Sequence, residues 1–425
     1  MEIPEVCRDS KWAFADLTPV STQYLTHGYH RYPAKFIPQL ASALIKEYAE
    51  DRGVVCDPFG GCGTTLVEAK LAGRESIGFD LNPLAILISR VKTTPIPPDK
   101  LKRRYTLLCD DLEAGISAQE QIISSDFQNY DRLLYWFGKT NLEQLILLRD
   151  RIQLEADIDI RNFFLCGLSH ILKNCSYWLA RSIKPQKDYS KVPESPKRAS
   201  RHHLSYMVAR NEEYYQALER KGFLSIRSTV GRADARHLPL GDESVDFIIT
   251  SPPYGVSYDY PSIHQLSLYL YGYSALLSGS KALFIGSMST RGNSRHAYLV
   301  SNKKACEVVN ALAPLDRRLS RAISNYFIDM CLVYREFCRV LRKGRRACIV
   351  LGDTALRGIH IPTVEFALEQ LEETGFIVEQ IIERPISGKI ITPYRDKITG
   401  KFTSTSNPNA RKVYSHEYIL VVKKI

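Results

Sequence analysis

No stretch of this 425-residue sequence is apolar for long enough to span a bilayer. Its start, Met1-Glu2-Ile3-Pro4-Glu5, lacks a basic region followed by an apolar one, so no secretory leader is read there and a cytoplasmic location is expected. Cysteine is present but unpatterned. The ten cysteines are scattered, with no Cys-x-x-Cys pair and no Cys/His spacing suited to zinc, which argues against both a disulfide framework and a metal site. They read instead as small buried apolar residues. There is no internal repeat, no low-complexity tract and no convincing nuclease motif. Acid is in short supply: 46 Asp and Glu stand against 57 Lys and Arg, a formal net charge of +11. Such an excess favours a polyanionic partner without identifying one.

What is present is ordinary for a folded chain, with 44% hydrophobic and 24% charged residues. The length allows two or three domains, or one large catalytic core with an insertion. Gly53-Val54-Val55-Cys56-Asp57 is a short apolar run ending in a carboxylate and a glycine-rich turn, and Thr64 to Leu71 then reads as a helix. Glu75 to Asp80 is a second short strand, and Pro83 to Val91 a second helix. This alternation predicts a parallel sheet with helices on its faces. It then stops: from about Pro95 to Gly222 the periodicity is helical, as an inserted domain would be. Strand signals return at Leu224 to Val230, Val245 to Thr250 and Arg346 to Leu351. Phe376 to Glu383 and Glu417 to Lys423 read as an antiparallel hairpin closing the sheet's edge. The expected division is 1–94 for an N-terminal segment and a first half of the sheet domain, 95–222 for the helical insertion, and 223–425 for the second half.

Asp57-Pro58-Phe59-Gly60-Gly61-Cys62-Gly63-Thr64-Thr65 is the first segment carrying chemistry. Glycines at a strand's carboxyl end let the backbone approach a ligand, and the next helix offers free N–H groups and partial positive charge to an anion. The spacing is not Gly-x-Gly-x-x-Gly, so a carboxylate suits the site better than a pyrophosphate. Asp80 ends the second strand, where a carboxylate can accept both hydroxyls of a ribose. Asp234 follows the presumed third strand and can accept from an adenine amino group. A ribose together with an amino-acid carboxylate suggests S-adenosyl-L-methionine. Any one of these acids, taken alone, reads equally well as a helix N-cap or a turn residue.

The second chemical segment is Ser251-Pro252-Pro253-Tyr254, directly after an apolar strand. The prolines hold it extended and have no N–H to donate, so it presents acceptors: the Ser251 hydroxyl and the Pro252 carbonyl. Two acceptors pulling on the hydrogens of a nucleobase amino group favour the pyramidal form whose lone pair can attack a methyl donor. Tyr254 offers a face on which a base can stack. Isolated Pro-Pro-Tyr is commonly only a polyproline turn; here it follows a strand and a glycine loop.

These two loops together resemble the amino-methylating DNA methyltransferases, the cytosine-N4 and adenine-N6 family. The resemblance covers about half the chain. It implies a Rossmann-like S-adenosylmethionine-dependent α/β sheet with a closing antiparallel hairpin, DNA as partner, and an associated restriction nuclease in some settings. It implies cofactor contacts at Asp57, Pro58, Phe59, Gly60, Gly61, Gly63, Thr64, Thr65, Asp80 and Asp234. Tyr32-Pro33-Ala34-Lys35-Phe36 resembles the family's segment over the methionine end. Ser251 to Tyr254 resembles its catalytic tetrapeptide, and Tyr258, Asp259, Tyr260 and His264 would surround the base. The family begins the tetrapeptide with Ser mainly in cytosine-N4 enzymes, which favours that branch. The cofactor loop precedes the catalytic loop, the reverse of many N4 members.

Two basic regions are candidates for holding DNA. Arg181 to His203 carries Lys184, Lys187, Lys197, Arg198 and Arg201 and reads as an exposed loop. The 384–412 loop carries Arg384, Lys389, Arg395, Lys397, Lys401, Arg411 and Lys412. Either can also be merely solvated. The rival readings are an adenine-N6 enzyme, an RNA base-amino methyltransferase, a protein-amide methyltransferase and a silent module that binds S-adenosylmethionine and DNA.

Overall fold

The computed structural model describes residues 4–33, 35–114, 128–256, 259–288, 302–386, 394–396, 403–412 and 416–425. The first half of the chain gives β1 (Val6–Cys7), α1 (Pro38–Tyr48), β2 (Val55–Asp57), α2 (Thr64–Leu71), β3 (Ser76–Asp80) and α3 (Pro83–Thr93). Asn82 starts α3 by accepting from the Leu84 N–H, and Pro83 occupies the first turn, where no N–H is needed. Five helices follow: α4 (Pro98–Ala114), α5 (Tyr130–Phe137), α6 (Lys139–Gln153), α7 (Ile158–Ile171) and α8 (Pro196–Lys221). Gly222, with φ +72°, stops the last of them in the left-handed conformation that glycine adopts freely.

Then come β4 (Ser228–Arg232), β5 (Val245–Thr250), α9 (Tyr260–Ile263), α10 (Gln265–Leu270), α11 (Lys303–Leu312), α12 (Arg317–Val340) and β6 (Leu341–Leu351). The chain ends through β7 (Thr354–Leu356), β8 (Ile359–Ile361), α13 (Thr363–Glu373), β9 (Phe376–Pro385), β10 (Tyr394–Asp396), β11 (Ala410–Lys412) and β12 (His416–Lys424).

The main sheet has the order β1-β9-β12-β6-β5-β2-β3-β4. Strands β4, β3, β2, β5 and β6 are mutually parallel, and β12 lies antiparallel between β6 and β9. From β2 the chain moves outward to β3 and β4, then returns to place β5 on the other side of β2. That reversal is a switch point, and ligands of open α/β sheets bind beyond the carboxyl ends of the strands there. β2 ends at Asp57 and β5 at Thr250, so both chemical segments open into one crevice.

Side chains along the central strands sort by alternate position. Phe247 and Ile249 of β5, Cys348 and Val350 of β6, and Ile419 and Val421 of β12 pack on α1 and Trp12. Their neighbours Ile248, Ala347, Ile349, Leu420 and Val422 pack on α12 and α13. Both faces of the sheet are covered, which is why these strands read as unbroken apolar runs. The result is the Rossmann-like sheet with a closing antiparallel pair that the sequence implied.

Four details differ. β12 is not an edge strand, because it inserts between β6 and β9, and the short β1 pairs parallel with β9 outside it. Two residues carry no detectable period, so β1 was invisible in the sequence. β4 is Ser228–Arg232, not 224–230, because Phe223 and Leu224 pack with Leu218 and Tyr214 of α8. The stretch expected as a loop from Arg181 to His203 turns helical at Pro196, so Lys197, Arg198 and Arg201 stand on α8. The helices α4 to α8 do not form a core of their own: Leu101, Trp136, Phe163 and Leu204 share one with Leu84 and Ile88 of α3 and Leu266 of α10.

Candidate active site

Asp57 ends β2 almost wholly buried. Its Oδ1 accepts from the Phe59 N–H at 3.1 Å and the Thr250 hydroxyl at 2.7 Å, and its Oδ2 from the Thr65 hydroxyl at 2.8 Å. Burial nevertheless lifts its pKa to about 6. The carboxylate thus ties the glycine loop to the start of α2 and to the end of β5, one residue before Ser251. Asp80 accepts from the Gly61 N–H at 3.1 Å and the Asn82 N–H at 2.8 Å, and burial raises it, too, to about 6.

Between these acids the backbone folds back on β3: the Gly60 N–H donates to the Phe79 carbonyl at 2.7 Å. Gly63 has φ +77°, and a Cβ there would stand 2.9 Å from the Cα of Ser89. No other residue fits that approach without a shift. Tyr32, Lys35 and Phe36 line the same cleft as Pro58, Phe59 and Thr64. The Lys35 ammonium, half-buried and donating to the His27 carbonyl at 3.4 Å, has its pKa lowered to about 8 by desolvation. Pro33 is half-buried beside them, and Ala34 lies outside the described residues.

The tetrapeptide meets this wall. Ser251 and Pro253 line the cleft, while Pro252 is buried. Ser251 Oγ lies 3.2 Å from Tyr254 Oη, which in turn stands 3.5 Å from Glu417 Oε2 on β12. The Tyr254 ring abuts Gly352, where a Cβ would come within 3.0 Å of it. Burial pushes the Tyr254 phenol well above its ordinary range, so it stays protonated.

Asp234 and Tyr260 also line the cleft. Asp234 is ion-paired with Arg236, whose guanidinium reaches Asp329 at 2.7 Å. Asp259 caps α9 through the Ser262 N–H and pairs with Lys281 at 3.0 Å. His264 is buried, 3.1 Å from Asn82 Nδ2, and its ring centroid is 4.9 Å from that of Tyr32, so it supports the wall behind Tyr32. Burial lowers its pKa to about 4. Tyr258 lies outside the described residues. Residues that sequence reasoning missed include Leu81, Ala233, Phe284 and Ile285 of the lining, and Thr250, Asn82 and Glu417 behind it. Thr250 and Asn82, each adjoining a recognised motif, were the ones with a signal to follow.

A family model described as DNA methylase matches residues 5–90. The chain is 26% identical over 439 aligned positions to the Type II methyltransferase M.MvaI of Kocuria varians, covering 95% of this chain and 92% of that one. It is 23% identical to the Type II methyltransferase M.BsoBI of Geobacillus stearothermophilus, covering 82% and 78%. These matches are to DNA methyltransferases, in keeping with the resemblance to the amino-methylating family. Among solved structures, the putative DNA modification methylase TTHA0409 of Thermus thermophilus, complexed with S-adenosyl-L-methionine, is 21% identical over 45% of this chain and 53% of that one, with a TM-score of 0.22. TrmN of the same organism is 12% identical over 92% of this chain and 49% of that one, with a TM-score of 0.31.

The cleft fits S-adenosyl-L-methionine, the cofactor that the sequence suggests. Asp80 spends its protein hydrogen bonds on two backbone N–H groups, leaving lone pairs for hydroxyls. The cleft lining combines Lys35, which suits a carboxylate, the glycine loop, Asp234 and Ser251. When bound, the cofactor supplies an electrophilic sulfonium methyl.

The basic residues divide sharply. Lys197 and Arg201 are ion-paired with Glu113 at 2.9 and 2.8 Å. Lys187 sits over the Tyr135, Tyr189 and Tyr177 rings at 4.0, 4.8 and 5.2 Å. Lys184 and Arg198 are exposed. Arg384, expected in the basic loop, is instead buried on β9 against Glu417, with its Nε donating to the Trp12 carbonyl at 2.7 Å. A charge so buried needs such a partner, and the sequence does not show that one stands on β12. Arg395 on β10 is directly opposite Arg411 on β11, and Tyr394 opposite Lys412. Lys389, Lys397 and Lys401 lie outside the described residues. Among the described residues no group of three or more His, Cys, Asp or Glu could hold a metal ion, and no helix is long and apolar enough to cross a membrane.

Proposed function

We propose that this chain is an S-adenosylmethionine-dependent methyltransferase that places a methyl group on the N4 amino nitrogen of a cytosine swung out of duplex DNA. The observation that carries the reading is a single cleft whose lining includes both Asp57, Gly60, Gly61 and Asp80 of the glycine-loop segment and Ser251 of the tetrapeptide. A base amino group is a poor nucleophile because its lone pair is delocalised into the ring. Ser251 Oγ and the Pro252 carbonyl accept its two hydrogens, which favours the pyramidal nitrogen and aims the lone pair across the cleft. Tyr254 supplies a ring for stacking, worth roughly 1–3 kcal/mol, against a cost of a few kcal/mol for extruding the base. Serine at the head of the tetrapeptide supports cytosine over adenine.

In this reading 1–94 and 223–425 form the catalytic domain, while the helices of 95–222 and the 384–412 segment hold the duplex. Of the candidate cations among the described residues, the exposed Lys184 and Arg198 would meet phosphates. The named relatives are Type II methyltransferases, so a nuclease of matching sequence preference is part of the reading, as is a place in the cytoplasm. Purified protein incubated with methyl-labelled S-adenosylmethionine and unmethylated genomic DNA should label the DNA, and Ser251→Ala should nearly abolish transfer. Label entering only RNA, or no transfer despite cofactor binding, would refute it.

A further inference from the structure

We infer that Arg384, Glu417 and Tyr254 form an orienting chain that turns the Ser251 hydroxyl into an acceptor facing the cleft. The inference rests on the proposed role of Ser251 and assigns to three residues of distant segments a part in the same step.

A hydroxyl is both donor and acceptor, and its proton rotates to suit its neighbours. If Ser251 is to accept from a substrate amino group, its own proton has to point elsewhere. The surroundings provide for that. Arg384 and Glu417 are a buried ion pair, 3% and 7% exposed. The guanidinium keeps Glu417 a carboxylate, which can only accept. The Tyr254 phenol has one proton, and an acceptor-only oxygen, Glu417 Oε2, stands 3.5 Å from it. With that proton turned to Glu417, Tyr254 Oη faces Ser251, 3.2 Å away, with a lone pair. The Ser251 proton is taken there, and the remaining lone pairs of Oγ are left to the cleft that Ser251 lines.

The rest of the chain is fixed in place. Arg384 Nε donates to the Trp12 carbonyl at 2.7 Å, and its guanidinium carbon lies 5.6 Å from the centroid of the Phe14 ring. Gly352 lets the Tyr254 ring approach the backbone closely, since a Cβ there would stand 3.0 Å from the ring. Stacking a base needs only the ring. The hydroxyl of Tyr254 and its connection to β12 therefore serve another purpose, and Glu417 and Arg384 are positioning residues acting through it.

The test is a mutant cycle read as single-turnover methyl transfer to unmethylated genomic DNA at saturating S-adenosylmethionine. Tyr254→Phe keeps the ring and should slow transfer about tenfold, with cofactor and DNA affinity unchanged within about twofold. In a Ser251→Ala background the same substitution should add less than about a twofold loss, because it has no hydroxyl left to orient. Glu417→Gln should match Tyr254→Phe where melting shows it folded; if it does not fold, the cycle with Tyr254→Phe decides. Wild-type rates for Tyr254→Phe, or a further tenfold loss in the Ser251→Ala background, would overturn the chain while leaving the role of Ser251 standing. Ser251→Ala at the wild-type rate would remove both.

Discussion

Asp57 and Asp80 on the cofactor side of the cleft are held mainly by their own neighbourhood. Their backbone partners and Thr65 lie no more than 19 positions away, and Thr250 is the one distant contact. On the catalytic side, Tyr254 takes its partner Glu417 from 163 positions away, and Glu417 is itself fixed by Arg384 on another strand. A site built from local turns can be recognised as a motif; one completed by strands that meet only in the folded sheet cannot. The difference also predicts separable defects, with the cofactor wall governing affinity and the catalytic wall governing rate.

The sharpest way to break that separation is Ser251→Ala. It should lower the single-turnover rate about 100-fold, as removal of one preorganised hydrogen-bonding group does in other enzymes, and leave the cofactor dissociation constant unchanged. A matching loss of cofactor affinity by calorimetry would merge the two walls. Asp80→Asn should do the reverse. Losing a charged acceptor worth about 2 kcal/mol weakens S-adenosylmethionine binding roughly 30-fold, with DNA affinity held.

Acidity offers a milder probe. Because Asp80 titrates at about 6 in the fold, cofactor affinity should fall as the pH drops through that value, and Asp80→Asn should flatten the profile. For folding the sign is opposite. A carboxyl raised above its ordinary value contributes stability that is present below about pH 4 and lost as the pH rises through about 6, so Asp80→Asn should remove that pH dependence from the stability of the empty protein. Gly63→Ala, forcing a Cβ into the left-handed region and against Ser89, should cost about 1–2 kcal/mol in denaturant unfolding. The smallest effect is expected at Arg198→Glu, a two- to threefold loss of DNA affinity, with a salt slope lower by about one.

The strand-loop-helix units at Asp57 and Asp80, and the strand running into Ser251, were legible because apolar runs, glycines and prolines act within a few residues. The position of β12 between β6 and β9 was not, since both alternatives satisfy the same alternation of side chains. Charge misled in a specific way. Arg384 and Lys389 look alike in a basic stretch, yet Arg384 is buried against Glu417. Likewise Lys197 and Arg201 are already paired with Glu113, which lies on α4, far off in sequence. Of the residues proposed around the base, Asp259 and His264 are engaged in capping α9 and backing Tyr32, and Tyr260 faces the cleft. Spacing alone did not separate these roles, because all three fall within six residues of each other.

The central claim is that Ser251 and the Pro252 carbonyl activate a cytosine amino group in DNA. The most direct measurement is the identity of the product: DNA methylated by the purified protein, digested to nucleosides and resolved by mass. N4-methylcytosine, absent from DNA treated with Ser251→Ala, is the predicted result. N6-methyladenine as the sole methylated nucleoside would contradict it.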